Sequence, residues 1–290
     1  MPVYNIVMSQ DDFIQRDQLT YPFEERGLQF GDGVYEVIRI YDGVFYLLDE
    51  HMNRLYRSLK EINIDFKINK NELINKLDEL LERNNMQSDG QVYLQITRGS
   101  ATRTHTFPVE TPPNIYAYVL EASRPTTILN TGVPVITQPD QRWKRRDIKS
   151  LNLLPNVLAK QAAADAGAHE AILYEDGFVT ECSSSNVYLV KNGNIYTHPA
   201  NHSILNGCVR LAVKRFSEAA QIPFIEEAFS LDAIDTADEL FLSSSTNEVM
   251  PIIKVDDRQI ADGKPGNLTR RLQEAYVRDA KIKDEAKANR

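Results

Sequence analysis

The most informative stretch of this chain is residues 146–154, which read RDIKSLNLL. It places Lys149 among apolar residues, and a helix-like segment, 155–160, follows it. A lysine that is partly withdrawn from water has its charged form disfavoured, so the pKa of its amine falls and it can attack an aldehyde. The stretch therefore allows a lysine that forms a Schiff base. A solvated surface cation remains the other interpretation, because the chain has 33 Lys and Arg residues and lysines are seldom buried.

Two further segments occur in a fixed order around this lysine. Residues 29–36 read QFGDGVYE, and residues 179–186 read VTECSSSN. Together, the three motifs resemble those of the fold-type IV pyridoxal-phosphate enzymes, which include D-amino-acid aminotransferases, branched-chain aminotransferases and aminodeoxychorismate lyases. The resemblance extends to about Tyr276 and is strongest to the D-amino-acid aminotransferases. It implies an α+β and α/β two-domain fold, with a smaller N-terminal α+β domain and a larger C-terminal domain that has a barrel-like β core.

The composition is that of a soluble globular protein. The chain has 290 residues, of which 42% are hydrophobic and 26% charged, so it can bury a large core. Its net charge of −8 argues against a nucleic-acid or anionic-membrane partner. Cys182 and Cys208 have no CxxC spacing, which fits a reducing compartment and gives no support for a metal site. No leader or membrane-spanning run is evident, so a cytoplasmic protein is predicted.

The pattern of residues 1–122 predicts an N-terminal α+β domain. Apolar residues alternate through 34–47 around Asp42-Gly43, a pair that favours a tight hairpin turn. A helical spacing begins after Asp49, and a second apolar stripe runs through 73–81. Strands are predicted at 91–98 and 114–121.

A polar segment with a proline, 123–131, predicts an interdomain connection. The C-terminal cofactor-binding domain is predicted at 132–280, with a charged tail at 281–290. Its predicted elements are strands at 133–137, 170–175 and 186–190, a hairpin turn at 191–194, and helices at 155–166, 208–220 and 267–279.

Pyridoxal phosphate needs a lysine amine, an acid beside its pyridine nitrogen, and donors for its phosphate. The resemblance assigns the Schiff base to Lys149 and the pyridine-nitrogen partner to Glu181, and both are catalytic candidates. Outside the motif, a glutamate at the end of a strand is typically solvated.

The resemblance assigns the phosphate to three parts of the chain. These are Arg54 on the first long helix, the turn Gly207, Cys208 and Val209 that opens a later helix, and Ser244 and Ser245 after the apolar strand 240–242. Backbone N–H groups and the dipole at a helix N-terminus favour an anion. Leu205 resembles the residue that packs against the cofactor ring. Val209 stands where similar enzymes often have Thr, so one hydroxyl donor is missing and weaker cofactor affinity is expected. Arg54 also fits a helix-surface cation, and the glycine turn also fits an ordinary helix start.

Residues 97–108, TRGSATRTHTFP, resemble a loop that binds the substrate carboxylate. The resemblance assigns this carboxylate to Arg103, His105 and Tyr35, and the planar fork of Arg suits the task. In the family the loop reaches the active site of the other subunit, which implies a homodimer. An exposed polar loop without a ligand is the alternative.

The resemblance implies transamination of D-amino acids, in which D-alanine and 2-oxoglutarate give pyruvate and D-glutamate by ping-pong kinetics. The main alternative is a branched-chain L-amino-acid aminotransferase. Arg39 favours that alternative, whereas Arg103 and His105 count against it. A lyase lacks a specific signal in the sequence, and Lys149 with Glu181 argues against a non-catalytic cofactor-binding protein.

Overall fold

A computed structural model describes residues 2–282, and the chain forms two compact units. The first unit extends to Arg124 and also includes Ile148–Asn152, while the second comprises Pro125–Asp147 and the chain from Leu153 onward. The domain boundaries inferred from the sequence stay a prediction. The charged tail expected at 281–290 lies outside the described residues except for Lys281 and Ile282.

The first unit combines one sheet with three α-helices within the described residues. Its elements are β1 Val3–Ser9, β2 Asp12–Gln15, α1 Arg26–Phe30, β3 Gly33–Tyr41, β4 Val44–Phe45, α2 Leu48–Glu61, α3 Lys70–Arg83, β5 Gly90–Thr97 and β6 Asn114–Glu121. The sheet is antiparallel in the order β2-β1-β6-β5-β3-β4. The predicted hairpin is confirmed, since Asp42 and Gly43 have φ of 48° and 76°, as a two-residue type I′ turn requires. Both predicted helices and both later strands are also confirmed.

Side chains alternate between the two faces of β3, and this alternation determines which of them point toward α2 and α3. Val34, Ile38 and Ile40 are fully buried and belong to the same apolar core as residues of α2 and α3. Glu36 has the same parity as these residues, so the two-residue period of the strand turns its carboxylate toward the core as well. It is 0% exposed. A buried carboxylate needs charged or polar partners, and α2 provides them.

The short segment Ile148–Asn152 packs in the first unit although it is distant in sequence. Ile148 is 4% exposed and belongs to the core of that unit. Ser150 forms a β-bridge with Val34. The partner strand β4 pairs only with Ile40 and the residue after it, so the start of β3 keeps free backbone groups that this segment uses. No local sequence pattern indicates this long-range pairing.

The second unit is built around one large mixed sheet. Its elements are α4 Thr126–Thr131, β7 Val133–Pro139, α5 Leu154–Asp165, β8 Glu170–Glu175, β9 Phe178–Cys182, β10 Asn186–Lys191, β11 Asn194–Thr197, α6 Cys208–Ala219, β12 Phe224–Glu226, β13 Glu239–Ser244, β14 Glu248–Val255, β15 Arg258–Gln259 and α7 Asn267–Asp279. The order is β12-β11-β10-β13-β14-β7-β8-β9, with β15 on β14. The pairs β11 with β12, β14 with β7, and β7 with β8 are parallel.

This sheet curls into a half-barrel. The strand β9 stands at one end of the order yet also contacts β10. Buried apolar side chains of β10, β13 and β14 form one core in this unit. The barrel-like β core and the mixed two-domain fold class are therefore confirmed. The predicted helices and strands of this unit are confirmed too, and residues 126–131, within the predicted connection, form α4.

Three global features bear on the kind of protein. Among residues 2–282, no helix is long and apolar enough to cross a bilayer. Cys182 and Cys208 are both free and buried. Within the same residues, no cluster of His, Cys, Asp and Glu could hold a metal ion.

Candidate active site

The backbone of Lys149 is fixed beside the start of β3. The Tyr35 N–H donates to the Lys149 carbonyl oxygen at 3.0 Å, and the Leu151 N–H donates to the Gly33 oxygen at 3.0 Å. The Lys149 N–H donates to Ser58 Oγ at 3.3 Å. The residue itself is half-buried, so it is not the solvated surface cation that the sequence also allowed.

The amine of Lys149 lies against an aromatic ring. Its Nζ is 4.1 Å from the centre of the Tyr35 ring. Tyr35 stacks on Tyr93 with the ring centres 5.8 Å apart, and the Tyr93 hydroxyl donates to Gln95 Oε1 at 2.9 Å. A cation is attracted to the face of a ring, so this stack restricts where the amine can lie. The structure thus brings Lys149 and Tyr35 together.

Arg54 lies on α2 and points to the buried carboxylate of β3. Its Nε donates to Glu36 Oε1 at 2.8 Å and its Nη2 donates to Glu36 Oε2 at 2.7 Å. His51 Nδ1 lies 2.7 Å from the same Oε2. The Arg54 side chain is 10% exposed, so a freely solvated helix-surface cation is excluded. The bidentate contact fixes the plane of the guanidinium and leaves Nη1 directed elsewhere.

The ionisation of Glu36 follows from these contacts. Burial by itself raises the pKa of the carboxyl, but the charge and hydrogen bonds of Arg54, followed by those of His51, lower that pKa to about 2. Glu36 is therefore an anion at neutral pH, and it holds Arg54 in one orientation.

The loop with Arg103 and His105 is exposed. The guanidinium carbon of Arg103 is 4.9 Å from the centre of the Phe30 ring, and the His105 ring meets the same ring edge-on with centres 5.5 Å apart. Among residues 2–282, Arg103 has no carboxylate partner. The structure therefore brings these two side chains together on Phe30, and an exposed loop is consistent with either interpretation of the sequence.

Two buried arginines share a carboxylate beside this loop, and one of them, Arg26, holds the backbone of the loop. Arg26 Nε donates to Asp32 Oδ2 at 2.8 Å, and Arg26 Nη1 donates to the Thr104 carbonyl oxygen at 2.8 Å. Arg98 Nε donates to the same Asp32 oxygen at 2.9 Å. Asp32 is the residue between the two glycines of the first motif. That motif therefore contributes a carboxylate that fixes the loop.

Glu181 ends β9 and is 4% exposed, so it is not a solvated strand-end residue. Its carboxylate accepts from Arg142 Nη1, from Asn186 Nδ2 at 2.9 Å, and from the Leu205 N–H at 3.1 and 3.2 Å. Burial raises the pKa of Glu181, and this effect exceeds the opposing effects of Arg142 and the Leu205 N–H. The site thus holds a carboxylate that is hydrogen-bonded but only partly compensated in charge.

The partner of Glu181 is itself anchored. Arg142 Nε donates to Asp140 Oδ1 at 2.9 Å and its Nη2 donates to Asp140 Oδ2 at 2.7 Å. Thr180 Oγ1 donates to Asp140 Oδ2 at 2.7 Å, and Arg146 Nε lies 3.4 Å from that oxygen. Burial raises the pKa of Asp140, but the hydrogen bond and charge of Arg142, with smaller effects of Thr180 and Arg146, bring that pKa below its ordinary value.

Asn186 joins Glu181 to the turn before α6. Its Nδ2 donates to Glu181 Oε2 and, at 2.8 Å, to the Leu205 carbonyl oxygen. A Cβ at Gly207 would collide with Asn186 Oδ1, so this turn has no room for a side chain there. Gly207 caps α6 without a side-chain hydrogen bond. The first N–H groups of the helix, which include those of Cys208 and Val209, have no partner within the helix and favour an anion.

A buried carboxylate joins two serine-rich turns in the same unit. Glu170 is 0% exposed and accepts from the Ser184 hydroxyl at 2.8 Å, the Ser185 hydroxyl at 2.7 Å and Asn247 Nδ2 at 3.0 Å. The Asn247 N–H in turn donates to Ser244 Oγ at 3.1 Å. The turn after β13 and the turn between β9 and β10 are therefore fixed to one another.

The predicted site residues are distributed over both units. The first unit contains Tyr35, Arg54, Arg103, His105 and Lys149. The second contains Glu181, Leu205, Gly207, Cys208, Val209, Ser244 and Ser245.

Sequence reasoning missed several side chains that hold these residues. Glu36 and Asn186 lie inside the quoted motifs, so their position in the motif was a usable signal. Arg142 contacts Glu181 across 39 residues of sequence, and no local pattern marks it or Asp140.

The family of the chain follows from comparison with known proteins. The family described as Amino-transferase class IV matches residues 33–255, a range that includes the Lys149 segment, Glu181 and the serine-rich turn. The chain belongs to the class IV aminotransferases. It is 46% identical over 271 residues to the D-alanine aminotransferase of Staphylococcus haemolyticus, which covers 93% of this chain and 96% of the relative. It is also 46% identical over 269 residues to the D-alanine aminotransferase of Bacillus licheniformis, with 93% and 95% covered.

Solved structures support the fold of this class IV aminotransferase. The branched-chain amino acid aminotransferase of Escherichia coli superposes with a TM-score of 0.90 at 22% identity, over 97% of each chain. A branched-chain amino acid aminotransferase from the archaeon Thermoproteus uzoniensis, with norvaline, superposes with a TM-score of 0.87 at 23% identity, over 97% of each chain. At this level of identity the likeness concerns the fold alone.

Proposed function

We propose that this class IV aminotransferase is a pyridoxal-phosphate-dependent aminotransferase of D-amino acids, which converts D-alanine and 2-oxoglutarate to pyruvate and D-glutamate. Two relatives at 46% identity are D-alanine aminotransferases and match nearly the whole chain, which supports this substrate class. The half-buried Lys149, fixed beside Tyr35, is the observation on which the chemistry depends.

The donor groups of the chain fit this cofactor. Lys149 offers an amine, Glu181 offers a buried carboxylate for a cationic ring nitrogen, and the start of α6 offers backbone N–H groups in a turn that a Cβ at Gly207 would fill. When bound, pyridoxal phosphate supplies an aldehyde that takes up the amino group and a ring that accepts the electrons released at the substrate Cα.

The chain's own residues then have separate tasks. Lys149 would carry the covalent link, and its freed amine would take the proton from the substrate Cα and deliver it to the former aldehyde carbon of the cofactor, with the reverse transfer in the second half-reaction. Glu181 would hold a proton on the ring nitrogen. Leu205 would pack against the ring. The residues that would hold the phosphate are Arg54, Gly207, Cys208, Val209, Ser244 and Ser245.

The substrate carboxylate is bound by Tyr35, Arg103 and His105. The absence of a carboxylate partner for Arg103 among residues 2–282 supports this role, because a guanidinium without an internal ion pair can bind a ligand carboxylate. Since the hydrogen on Cα must face Lys149, the side on which the carboxylate is held decides which enantiomer reacts. This geometry underlies the choice of D-amino acids.

The carboxylate-binding loop belongs to an apolar surface that favours a homodimer, in which Arg103 and His105 reach the partner's active site. Large apolar side chains near α1 and this loop are exposed. They are Tyr21 at 48%, Phe23 at 85%, Leu28 at 69%, Phe107 at 56% and Val109 at 87%. The exposure of several large apolar side chains in these two stretches of sequence supports an interface there, because large exposed apolar patches typically mark interaction sites. The cytoplasmic location stays a prediction.

The rival activity, transamination of branched-chain L-amino acids, has less support. In the sequence, Arg39 favours this rival activity. In the structure Arg39 is 2% exposed, and its Nη2 lies 3.7 Å from Asp89 Oδ2. It is therefore engaged with its own chain.

The test of the proposal uses purified protein loaded with pyridoxal phosphate. Borohydride reduction followed by peptide mapping is expected to attach the cofactor to Lys149, and D-alanine is expected to be a better amino donor than L-valine or L-leucine. Lys149→Ala should abolish the attachment, while Lys144→Ala, at a side chain 80% exposed, should preserve it. Attachment at another residue overturns the role of Lys149, and a preference for L-valine overturns the D-specific assignment.

A further inference from the structure

The contacts of Arg142 and Asp140 have a consequence for Glu181. Two of the guanidinium's nitrogen atoms, Nε and Nη2, donate to Asp140 at 2.9 and 2.7 Å, whereas only Nη1 donates to Glu181. Bidentate pairing fixes the plane and direction of a guanidinium. Asp140 therefore decides where Nη1 points, and Nη1 meets Oε1 of Glu181 and not Oε2.

This division leaves the Glu181 charge only partly compensated. Arg142 shares one positive charge between two buried carboxylates, of which Asp140 takes the bidentate contact. Within the described part of the chain, the donors to Oε2 of Glu181 are neutral and come from Asn186 and from the Leu205 N–H. Neutral hydrogen bonds orient a carboxylate without cancelling its charge. In its ionised form, Glu181 thus has negative charge that its neighbours compensate only in part and that a cationic group of a ligand can use.

The surroundings of Glu181 contain few other groups that could compensate this charge. Among residues 2–282, the titratable groups with the largest electrostatic effects on Glu181, or on which Glu181 has such an effect, are Arg142, Asp140, Cys182 and Tyr188. Burial raises the pKa of the Cys182 thiol and of the Tyr188 hydroxyl, so both are neutral near pH 7. Asp140 is an anion and disfavours a second negative charge nearby. Arg142 is therefore the cation that counteracts burial at Glu181.

We propose that Arg142, anchored by Asp140, is a positioning residue that keeps Glu181 ionised and oriented for the protonated ring nitrogen of the cofactor. The inference rests on the proposed function for the identity of that nitrogen. Its first part, that Arg142 keeps Glu181 ionised, concerns the protein alone. Asp140 supports this role because it fixes Arg142 so that only one donor reaches Glu181.

The first experiment needs no cofactor. In cofactor-free protein with ¹³C-labelled glutamate carboxyls, the Glu181 signal is assigned by its loss in Glu181→Gln and followed with pH. Arg142→Met is expected to raise the titration midpoint of Glu181 by about 1–3 pH units, which is the usual effect of one adjacent opposite charge. Arg142→Lys, which keeps the charge, should give a smaller rise. The same midpoint in Arg142→Met and in the parent protein overturns the inference.

The second experiment measures the dissociation constant of pyridoxal phosphate at pH 6.5 in a double-mutant cycle. Arg142→Met is expected to weaken binding about tenfold when residue 181 is Glu, and less than about twofold in the Glu181→Gln background, where no charge remains to be held. Equal losses in both backgrounds would show that Arg142 acts independently of Glu181, against the proposal.

A matched control separates this role from general damage to the segment. Arg145→Met removes a nearby arginine that pairs with Asp147 and is 33% exposed, and it should leave the Glu181 midpoint unchanged. If the parent protein fails to bind pyridoxal phosphate, the proposed function fails, while the titration of Glu181 still decides the role of Arg142. If Arg142→Met does not fold, Arg142→Lys provides both measurements.

Discussion

Arg26 Nη1 lies 2.8 Å from the carbonyl oxygen of Thr104, the residue between Arg103 and His105. The loop proposed to bind the substrate carboxylate is therefore held by its backbone, because its two functional side chains extend from either side of an anchored peptide. Arg26 is 2% exposed and is itself held by Asp32.

Replacing Arg26 by Met is expected to release Thr104 and to raise KM for D-alanine about tenfold, with a smaller change in kcat. A small displacement of Arg103 and His105 is expected to weaken substrate binding more than it slows the proton transfer. Steady-state kinetics over a range of D-alanine concentrations measure the effect. Arg83→Met, which breaks the surface pair with Glu79, is the control and should leave KM unchanged. An equal fall of kcat and of kcat/KM in Arg26→Met would place the residue in the chemistry and not in loop positioning.

Replacing Arg103 by Ala removes the guanidinium itself. KM for D-alanine is expected to rise about tenfold to a hundredfold, because charge-assisted hydrogen bonds to a carboxylate are among the strongest that a side chain makes. Arg103→Lys should recover only part of this loss, since an ammonium lacks the planar fork. The cofactor spectrum should remain that of the parent protein. An unaltered KM in Arg103→Ala would remove this residue from the carboxylate site.

Glu36 provides a prediction about pH. Its pKa in the folded protein is lowered from 4.5 to about 2, so its ionisation stabilises the fold above the unfolded-state pKa, and that stability is lost as the pH falls toward 2. Compared with Glu36→Gln, the parent protein should be more stable by on the order of 3 kcal/mol at pH 6 and by about half as much at pH 3.

Urea unfolding of both proteins at the two pH values tests this expectation. Glu79→Gln, in an exposed pair with Arg83, is the matched control, and its effect should change little with pH. A stability difference for Glu36→Gln that stays constant from pH 6 to pH 3 would contradict the assigned pairing. The variant should also weaken cofactor binding, because Glu36 orients Arg54.

Local patterns explain why so much of the fold was predictable. The hairpin at Asp42 and Gly43 depends on two residues that tolerate positive φ, and α2 and α7 each have an apolar stripe at helical spacing. The motif around Lys149 predicts the fold class independently of any single helix or strand. These signals lie within a few residues of one another, so a single sequence reveals them.

The remaining features depend on contacts between distant residues. Ile148–Asn152 joins the first unit through hydrogen bonds to the start of β3. No pattern in either segment of sequence predicts that the two pair. The candidate site shows the same division. The roles of residues inside the motifs were predicted by resemblance. The roles of Arg142 and Asp140 follow only from their contacts in the folded chain, which link them to Glu181.

Glu170 gives the last prediction, because its buried carboxylate accepts from surrounding hydroxyl and amide donors, with the Lys160 ammonium 3.9 Å from Oε1. Ser184, Ser185 and Asn247 all donate to it at 2.7 to 3.0 Å. These three donors all reach Oε1, while the Ser184 N–H and the Ser183 hydroxyl donate to Oε2 at 3.1 and 3.3 Å. In Glu170→Gln an NH₂ group, which cannot accept, replaces one of the two oxygens, so one of these two sets of donors loses its acceptor. A buried group that loses its partner costs about 1–3 kcal/mol. Unfolding by urea should show this loss, and Ser185→Ala should show a smaller one.

Cofactor affinity should fall in Glu170→Gln as well, since Asn247 links Glu170 to Ser244 in the turn proposed to bind the phosphate. The dissociation constant of pyridoxal phosphate for cofactor-free protein measures this effect, and Glu218→Gln on the exposed side of α6 serves as the control. Lower stability with unchanged affinity would confine Glu170 to folding, whereas a loss of both would show that the two serine-rich turns act as one unit in holding the phosphate.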